Sequence, residues 1–266
     1  MAKSANGTKQ QERQRLIAEH ILREGTVKID GLHQLFGISF MTIHRDLDEL
    51  EARGLIRKSR GWVTAMSSSV AEASDVFRQG QQEEEKAALA AAALEFISAG
   101  QSVFLDDSTT TALLAPLVTQ RAPLTIITNY LTLMNELGQA REITLIGLGG
   151  TYMTWSSSFL GSVTTASIRA IAADLFIMST SAVIDDVCYH HSQQTVEVKR
   201  AMFESAARRI LLIDHTKFER RALHALLALD DFDEVVVDSR TPAETIERLR
   251  NRGIPLTVAP VAMPAA

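Results

Sequence analysis

The chain has a single cysteine, Cys188. That excludes an internal disulfide framework and fits a reducing compartment, so a cytoplasmic protein is expected. No apolar run approaches the roughly 18 residues of a membrane span. The opening Met1–Lys9 segment lacks the apolar stretch of a signal peptide, and no membrane partner is expected. No internal repeat is evident. What the chain does have is 266 residues, 46% apolar and 22% charged, enough for at least one sizeable core and unlike a disordered protein.

The formal net charge of −5 is unevenly spread. Residues 1–66 hold 11 Lys and Arg against 8 Asp and Glu, and residues 67–266 hold 16 against 24. A mildly basic head on an acidic body places any polyanion at the head.

Gln10–Glu24 is helical in pattern, with Leu16, Ile17, His20 and Ile21 as a stripe and Gly25 as a stop. Asp30 reads as the N-cap of a second helix carrying Leu32, Leu35 and Phe36, which Gly37 ends. Ser39 reads as the N-cap of a third, carrying Ile43, Leu47 and Leu50 and ended by Gly54. Two short helices joined by a glycine-containing turn make a helix-turn-helix. The first turns of the second of these face the major groove, and their outward residues are Phe40, Met41, Thr42, His44 and Arg45. Arg45 can pair with guanine, Thr42 can reach a base or phosphate, and apolar side chains can read a thymine methyl. Leu55–Lys58 and Trp62–Thr64 read as a hairpin wing, with Arg57, Lys58 and Arg60 at its tip for phosphate contacts. Ser39 completes the expected DNA-contacting set.

The expected organisation is a winged helix-turn-helix over 1–65, a linker over 66–82 with the run Ser67-Ser68-Ser69, and an α/β domain over 83–266. Glu83-Glu84-Glu85 opens a helix, favourable for its dipole. Strand candidates are Ser102–Leu105, Leu124–Thr128, Ile143–Ile146, Leu175–Met178, Arg209–Ile213, Asp233–Val237 and Pro255–Val258. Helical patterns lie between most of them, around 110–118, 130–138, 163–172, 195–207 and 242–251. Such alternation predicts a mostly parallel sheet flanked by helices, with ligands beyond the carboxyl ends of its strands. Small polar residues follow those ends: Asp106 with Ser108, Thr109, Thr110 and Thr111; Thr128-Asn129; Gly147–Gly150; Ser179-Thr180-Ser181; and Asp214–Lys217. Hydroxyls and amides at a helix start suit phosphate, glycines admit close approach, and a lysine adds charge. Asp106 could accept hydrogen bonds from sugar hydroxyls.

These residues together resemble the DeoR family of bacterial transcriptional regulators, from about Gln11 to about Val258. The head contributes Leu35-Phe36-Gly37-Ile38-Ser39, Thr42-Ile43-His44-Arg45-Asp46-Leu47, Leu50 and Gly54. The body contributes Asp106, Thr109-Thr110, Thr128-Asn129, Gly149-Gly150, Lys199-Arg200, Asp214 and Lys217-Phe218. The resemblance implies an effector domain similar to ribose-5-phosphate isomerase and a repressor that answers to a phosphorylated sugar. The expected effector contacts are Asp106, Ser108, Thr109, Thr110, Thr128, Asn129, Gly149, Gly150, Glu197, Lys199 and Lys217. Several positions depart from the family pattern. His44-Arg45 stands for two arginines, Ser59-Arg60-Gly61 for His-Gly-Gly, Ser108 for a glycine, and Ser179–Val183 for a glycine-rich segment.

The expected protein is a repressor of carbohydrate-metabolism genes, binding a double-stranded operator as a homodimer or homotetramer, with no cofactor, metal or catalytic residue. Two other readings stand beside it. One is an isomerase-like enzyme using Asp106, Glu197, Lys199 and Lys217. The other is a DNA-binding oligomer that senses nothing. Asp185–His191 holds metal-ligand residue types without the usual spacing, and reads as a pocket-covering loop.

Overall fold

Helix α1 (Ala2–Glu24) ends at Gly25, whose φ of 77° is one a glycine adopts freely. Ile17 and Ile21 are wholly buried, whereas Leu16, expected in the same stripe, is exposed. The segment Thr26–Lys28 forms strand β1. The extended backbone therefore runs to Lys28, and α2 (Ile29–Phe36) starts at once behind it. Asp30 consequently lies in the first turn of α2 rather than at its cap. Gly37 closes α2 at φ 61°, and α3 (Phe40–Ala52) follows after two residues. Ser39 caps α3 by accepting from the Thr42 N–H at 3.2 Å. Strands β2 (Ile56–Ser59) and β3 (Trp62–Ala65) form the wing, and β1 joins them in the order β1-β3-β2. Ile17, Ile21, Leu32, Ile43, Leu47, Leu50 and Val63 share one core.

The structure is a computed structural model that describes residues 2–66, 78 and 80–262; the side chains of residues 2–8 and 11 lie outside that description. Most of the expected linker, 67–77 and 79, lies outside the described residues as well. Two compact units emerge: Met1–Gln81 with Thr154–Ser156, and Gln82–Met153 with Ser157–Ala266.

In the second unit α4 (Glu83–Leu94) precedes β4 (Ser102–Leu105), the single-turn helices α5 (Thr109–Ala112) and α6 (Ala115–Val118), and β5 (Leu124–Thr128). Next come α7 (Leu131–Leu137), β6 (Ile143–Gly147), the hairpin β7 (Thr151–Met153) and β8 (Ser158–Leu160), and α8 (Ser162–Arg169). Strand β9 (Ala173–Ser179) leads into β10 (Ala182–Ile184) and β11 (Val187–His190). The remainder is α9 (Gln193–Glu204), β12 (Ala206–Ile213), β13 (His224–Ala228), β14 (Glu234–Asp238), α10 (Ala243–Asn251) and β15 (Leu256–Ala259).

Seven strands form one parallel sheet in the order β15-β14-β12-β9-β4-β5-β6. Its central strands are buried on both faces, since Leu175 and Ile177 are as inaccessible as Phe176 and Met178 pointing the other way. The helix expected over 110–118 is two short pieces. Pro116, which has no N–H to donate, sits near the start of the second. Strands β10, β11 and β13 form a separate antiparallel sheet. The segment read as a pocket-covering loop is thus a hairpin, with Asp185 and Asp186 as its turn at φ 50° and 61°.

Candidate DNA-reading helix and effector site

Asp46 fixes α3 against α1. It is buried and receives the Arg13 guanidinium, Nε at 2.5 Å and Nη2 at 3.1 Å, together with the Gln14 amide at 3.1 Å. The Arg13 proton is held more tightly than usual because of this pairing. Gln10 and Gln14 both donate to Glu49 one turn further on. With Ile43, Leu47 and Leu50 inward, Phe40, Met41 and Arg45 are exposed on the other face. Thr42 lies 2.8 Å from the Ser39 hydroxyl, and His44 stacks on Phe40 with ring centroids 5.7 Å apart. On the wing, Arg57 and Arg60 are exposed and form no ion pair among the described residues. Lys58 differs from the expected free tip cation: it pairs with Asp48, and its N–H donates to Glu51 at 2.7 Å.

Because all seven strands run the same way, their carboxyl ends share one edge of the sheet. Asp106, just past β4, is fully buried. One carboxylate oxygen accepts from the Ser108 N–H (3.2 Å) and the Thr111 hydroxyl (2.7 Å). The other accepts from the Ser179 N–H (3.0 Å) and from Lys199 Nζ. Lys199 comes from α9, is itself buried, and also donates to the Ser179 carbonyl at 3.0 Å. Asp107 lies 3.7 Å from Lys199 and accepts from the Ser158 hydroxyl at 2.9 Å. Asp106 is therefore saturated by protein donors, and its structural work is to join the ends of β4 and β9 and the α5 loop to α9. The Ser108 hydroxyl accepts from the Thr111 N–H at 3.1 Å, and Thr109 and Thr110 are buried beside it. Helix α5 is only four residues long, so the dipole expected there contributes little.

Past β5, Thr128 accepts from the Tyr130 N–H and Asn129 donates its amide to the Phe159 carbonyl at 3.0 Å. Asn129 Oδ1 is buried and has no hydrogen-bond donor among the described residues. Past β12, Asp214 is in the same situation: one oxygen takes the Thr216 N–H and hydroxyl, and Oδ2 takes nothing. Lys217 Nζ stands 3.6 Å from that oxygen. Burial alone would raise the Asp214 value. Lys217, the Thr216 hydrogen bond, Arg220 and Lys86 outweigh it and hold the carboxyl below its usual range. Gly149 and Gly150 are exposed past β6. At Gly150, with φ 147°, a Cβ would run into the Thr164 hydroxyl and come within 2.9 Å of the Leu160 carbonyl.

Glu197 does not join this group. It lies two residues from Lys199, on the opposite side of α9, where it is exposed and accepts from Gln193. Cys188 is fully buried, and burial pushes its thiol up to about 12. Asp186 is engaged by Arg248 and by Arg252 at 2.6 Å, and the His190 ring accepts from the Ser192 N–H. Among the described residues no three His, Cys, Asp or Glu side chains gather as metal ligands do.

Residues 13–69 match the DeoR-like helix-turn-helix domain, and residues 81–239 match the DeoR C-terminal sensor domain. The chain belongs to the DeoR family. It is 32% identical over 248 residues to the transcriptional repressor AccR of Agrobacterium fabrum, covering 91% of this chain and 96% of that protein. It is 30% identical over 249 residues to the glycerol-3-phosphate regulon repressor of Escherichia coli K12, covering 93% and 98%. Ribose 5-phosphate isomerase A of Methanocaldococcus jannaschii aligns with a TM-score of 0.37 at 15% identity, over 50% of this chain and 53% of that one.

A DeoR-family chain of this kind is a DNA-binding transcriptional regulator and not an isomerase. No helix among the described residues is long and apolar enough to cross a membrane. The sequence pattern left several residues of this DeoR protein unmarked. Arg13 and Gln14 look like ordinary polar residues of a helix face, yet they hold Asp46. Lys86 looks like one more charge after an acidic run, yet it is buried and acts on Asp214. An apolar-flanked charge within Glu85-Lys86-Ala87-Ala88-Leu89 is the only sequence trace of that burial.

Proposed function

We propose that this protein is a cytoplasmic repressor of carbohydrate-metabolism genes whose grip on its operator is set by a phosphorylated sugar in the sensor domain. The observation that carries the reading is the pair of buried acceptors without donors, Asn129 Oδ1 and Asp214 Oδ2, at the edge that also holds Lys217 and the Ser108–Thr111 loop. Buried polar groups are nearly always satisfied, so these two call for hydroxyl donors from a ligand. The Lys217 ammonium suits an anionic group on the same molecule. A sugar phosphate carries both. One relative's name points to a phosphorylated small molecule, the glycerol-3-phosphate regulon repressor.

The body assembles as a homodimer or homotetramer and sets the spacing of its heads. Two-fold related heads read half-sites about 34 Å apart or a multiple of that. Effector binding favours an arrangement whose spacing misses the operator. A coupling of about 1–3 kcal/mol changes DNA affinity 5- to 150-fold.

Fluorescence anisotropy tests this with DNA upstream of the protein's own gene and a scrambled duplex, each with and without glycerol 3-phosphate and a pool of sugar phosphates. Specific binding that the pool weakens supports the proposal. Specific binding indifferent to every sugar phosphate replaces it with an oligomer that senses nothing of this class.

A further inference from the structure

We infer that Met41, seated beside Phe40, reads a thymine methyl group in the operator, next to the base that Arg45 contacts. Met41 is 85% exposed and Phe40 45%, at the very start of the groove-reading helix. Two large apolar side chains exposed side by side there gain from an apolar partner in the complex. The major groove offers one such group, the C5 methyl of thymine. Phosphates and the other base edges are polar.

The geometry supports an apolar contact rather than loose decoration. The Phe40 ring lies between two imidazoles, His33 of α2 at 5.0 Å and His44 of α3 at 5.7 Å. His33 Nδ1 in turn donates to the Ile38 carbonyl, tying the ring to the turn between the two helices. Phe40 thus forms a fixed wall at the helix entrance. Met41 beside it is unbranched and adaptable, a shape that fits around a small methyl. Met41 and Arg45 are four residues apart, so they share a helix face about 6 Å apart along the axis. At about 3.4 Å per base pair, the thymine lies within roughly two base pairs of the guanine that Arg45 contacts. Asp48, one turn further on, is neutralised by Lys58 and ends the reading surface.

The inference rests on α3 being the groove-reading helix, and the experiment separates the two. The full chain selects its site from random duplexes, and each thymine of the selected half-site is then replaced by deoxyuridine, which lacks only the methyl. The expected result is one thymine whose replacement weakens binding about fourfold, the worth of one buried methyl-sized group. Met41→Ala should bind the two duplexes equally, with Arg45→Ala still sensitive to the methyl. If no thymine is selected near the Arg45-dependent guanine, or if every replacement is silent, the inference is wrong and the helix assignment stands. If Arg45→Ala and Met41→Ala both select the unchanged site, α3 is not the reading helix and both ideas fall. A silent replacement together with base unstacking at the site, seen by 2-aminopurine fluorescence, would make the pair a wedge between bases and overturn methyl reading.

Discussion

Asp106 and Lys199 show how much one buried pair can organise. Each stabilises the other only because both are desolvated together; alone, either would be an uncompensated buried charge. Lys199→Met is therefore expected to cost about 3–5 kcal/mol, measured by chemical denaturation at neutral pH. Asp106→Asn should cost a comparable amount: its oxygen can still accept from Ser108 and Thr111, but its NH2 then faces the Ser179 N–H and leaves Lys199 a buried charge without its partner. Asp214 offers a test by pH. Its ordinary value is 3.8, and folding lowers it. The unfolded chain thus binds that proton more readily than the folded one. The stabilisation is complete well above 3.8 and disappears as pH falls through the lower folded value. Denaturation of the wild type and Asp214→Asn should converge below that range. A constant gap down to acid pH would remove Asp214 from the acid response.

At the level of elements, the parts most legible in the sequence are those with a strong local rule. Ser39 before an apolar-periodic run is a cap, and it caps. Ser39→Ala should lower the thermal stability of the DNA-binding unit by about 1 kcal/mol. The seven parallel strands were legible because each is a short apolar run between helical patterns. The elements that escaped, β1, β7, β8, β10, β11 and β13, are three to five residues long. Runs that short show little period, and two of the pairings are long-range: Val27 pairs with Val63, and Tyr189 with Ala225. The site divides in the same way. Loop residues beyond strands can be read from the fold rule, whereas Lys86 cannot, because its burial is decided by tertiary packing. Glu197 was misplaced for a simpler reason: sequence adjacency to Lys199 on a helix puts it on the opposite face. Gly150 is a further element-scale test. Gly150→Ala has to move Thr164 or the Leu160 carbonyl and to hold a positive φ, so the β6–β7 connection should loosen, seen as lost amide protection there.

For the whole molecule, the charge map sets the head apart from the body. The net of +3 in residues 1–66 suits a head that meets a polyanion, and the acidic remainder disfavours nonspecific DNA contact by the body. Arg60→Ala should weaken binding to any duplex and reduce the slope of log affinity against log salt by about 0.9, measured between 50 and 200 mM salt on the order of the usual range. An unchanged slope would take the wing tip off the phosphate backbone. Cys188 brings a last consequence. A solitary sulfhydryl, sealed in β11 and neutral at any physiological pH, is a natural stopwatch. It can meet a thiol reagent only when the small sheet beside α9 swings open, so modification rate reports the frequency of that opening without any engineered label. An effector that tightens the sensor domain should slow the clock, and one that loosens it should make it run faster.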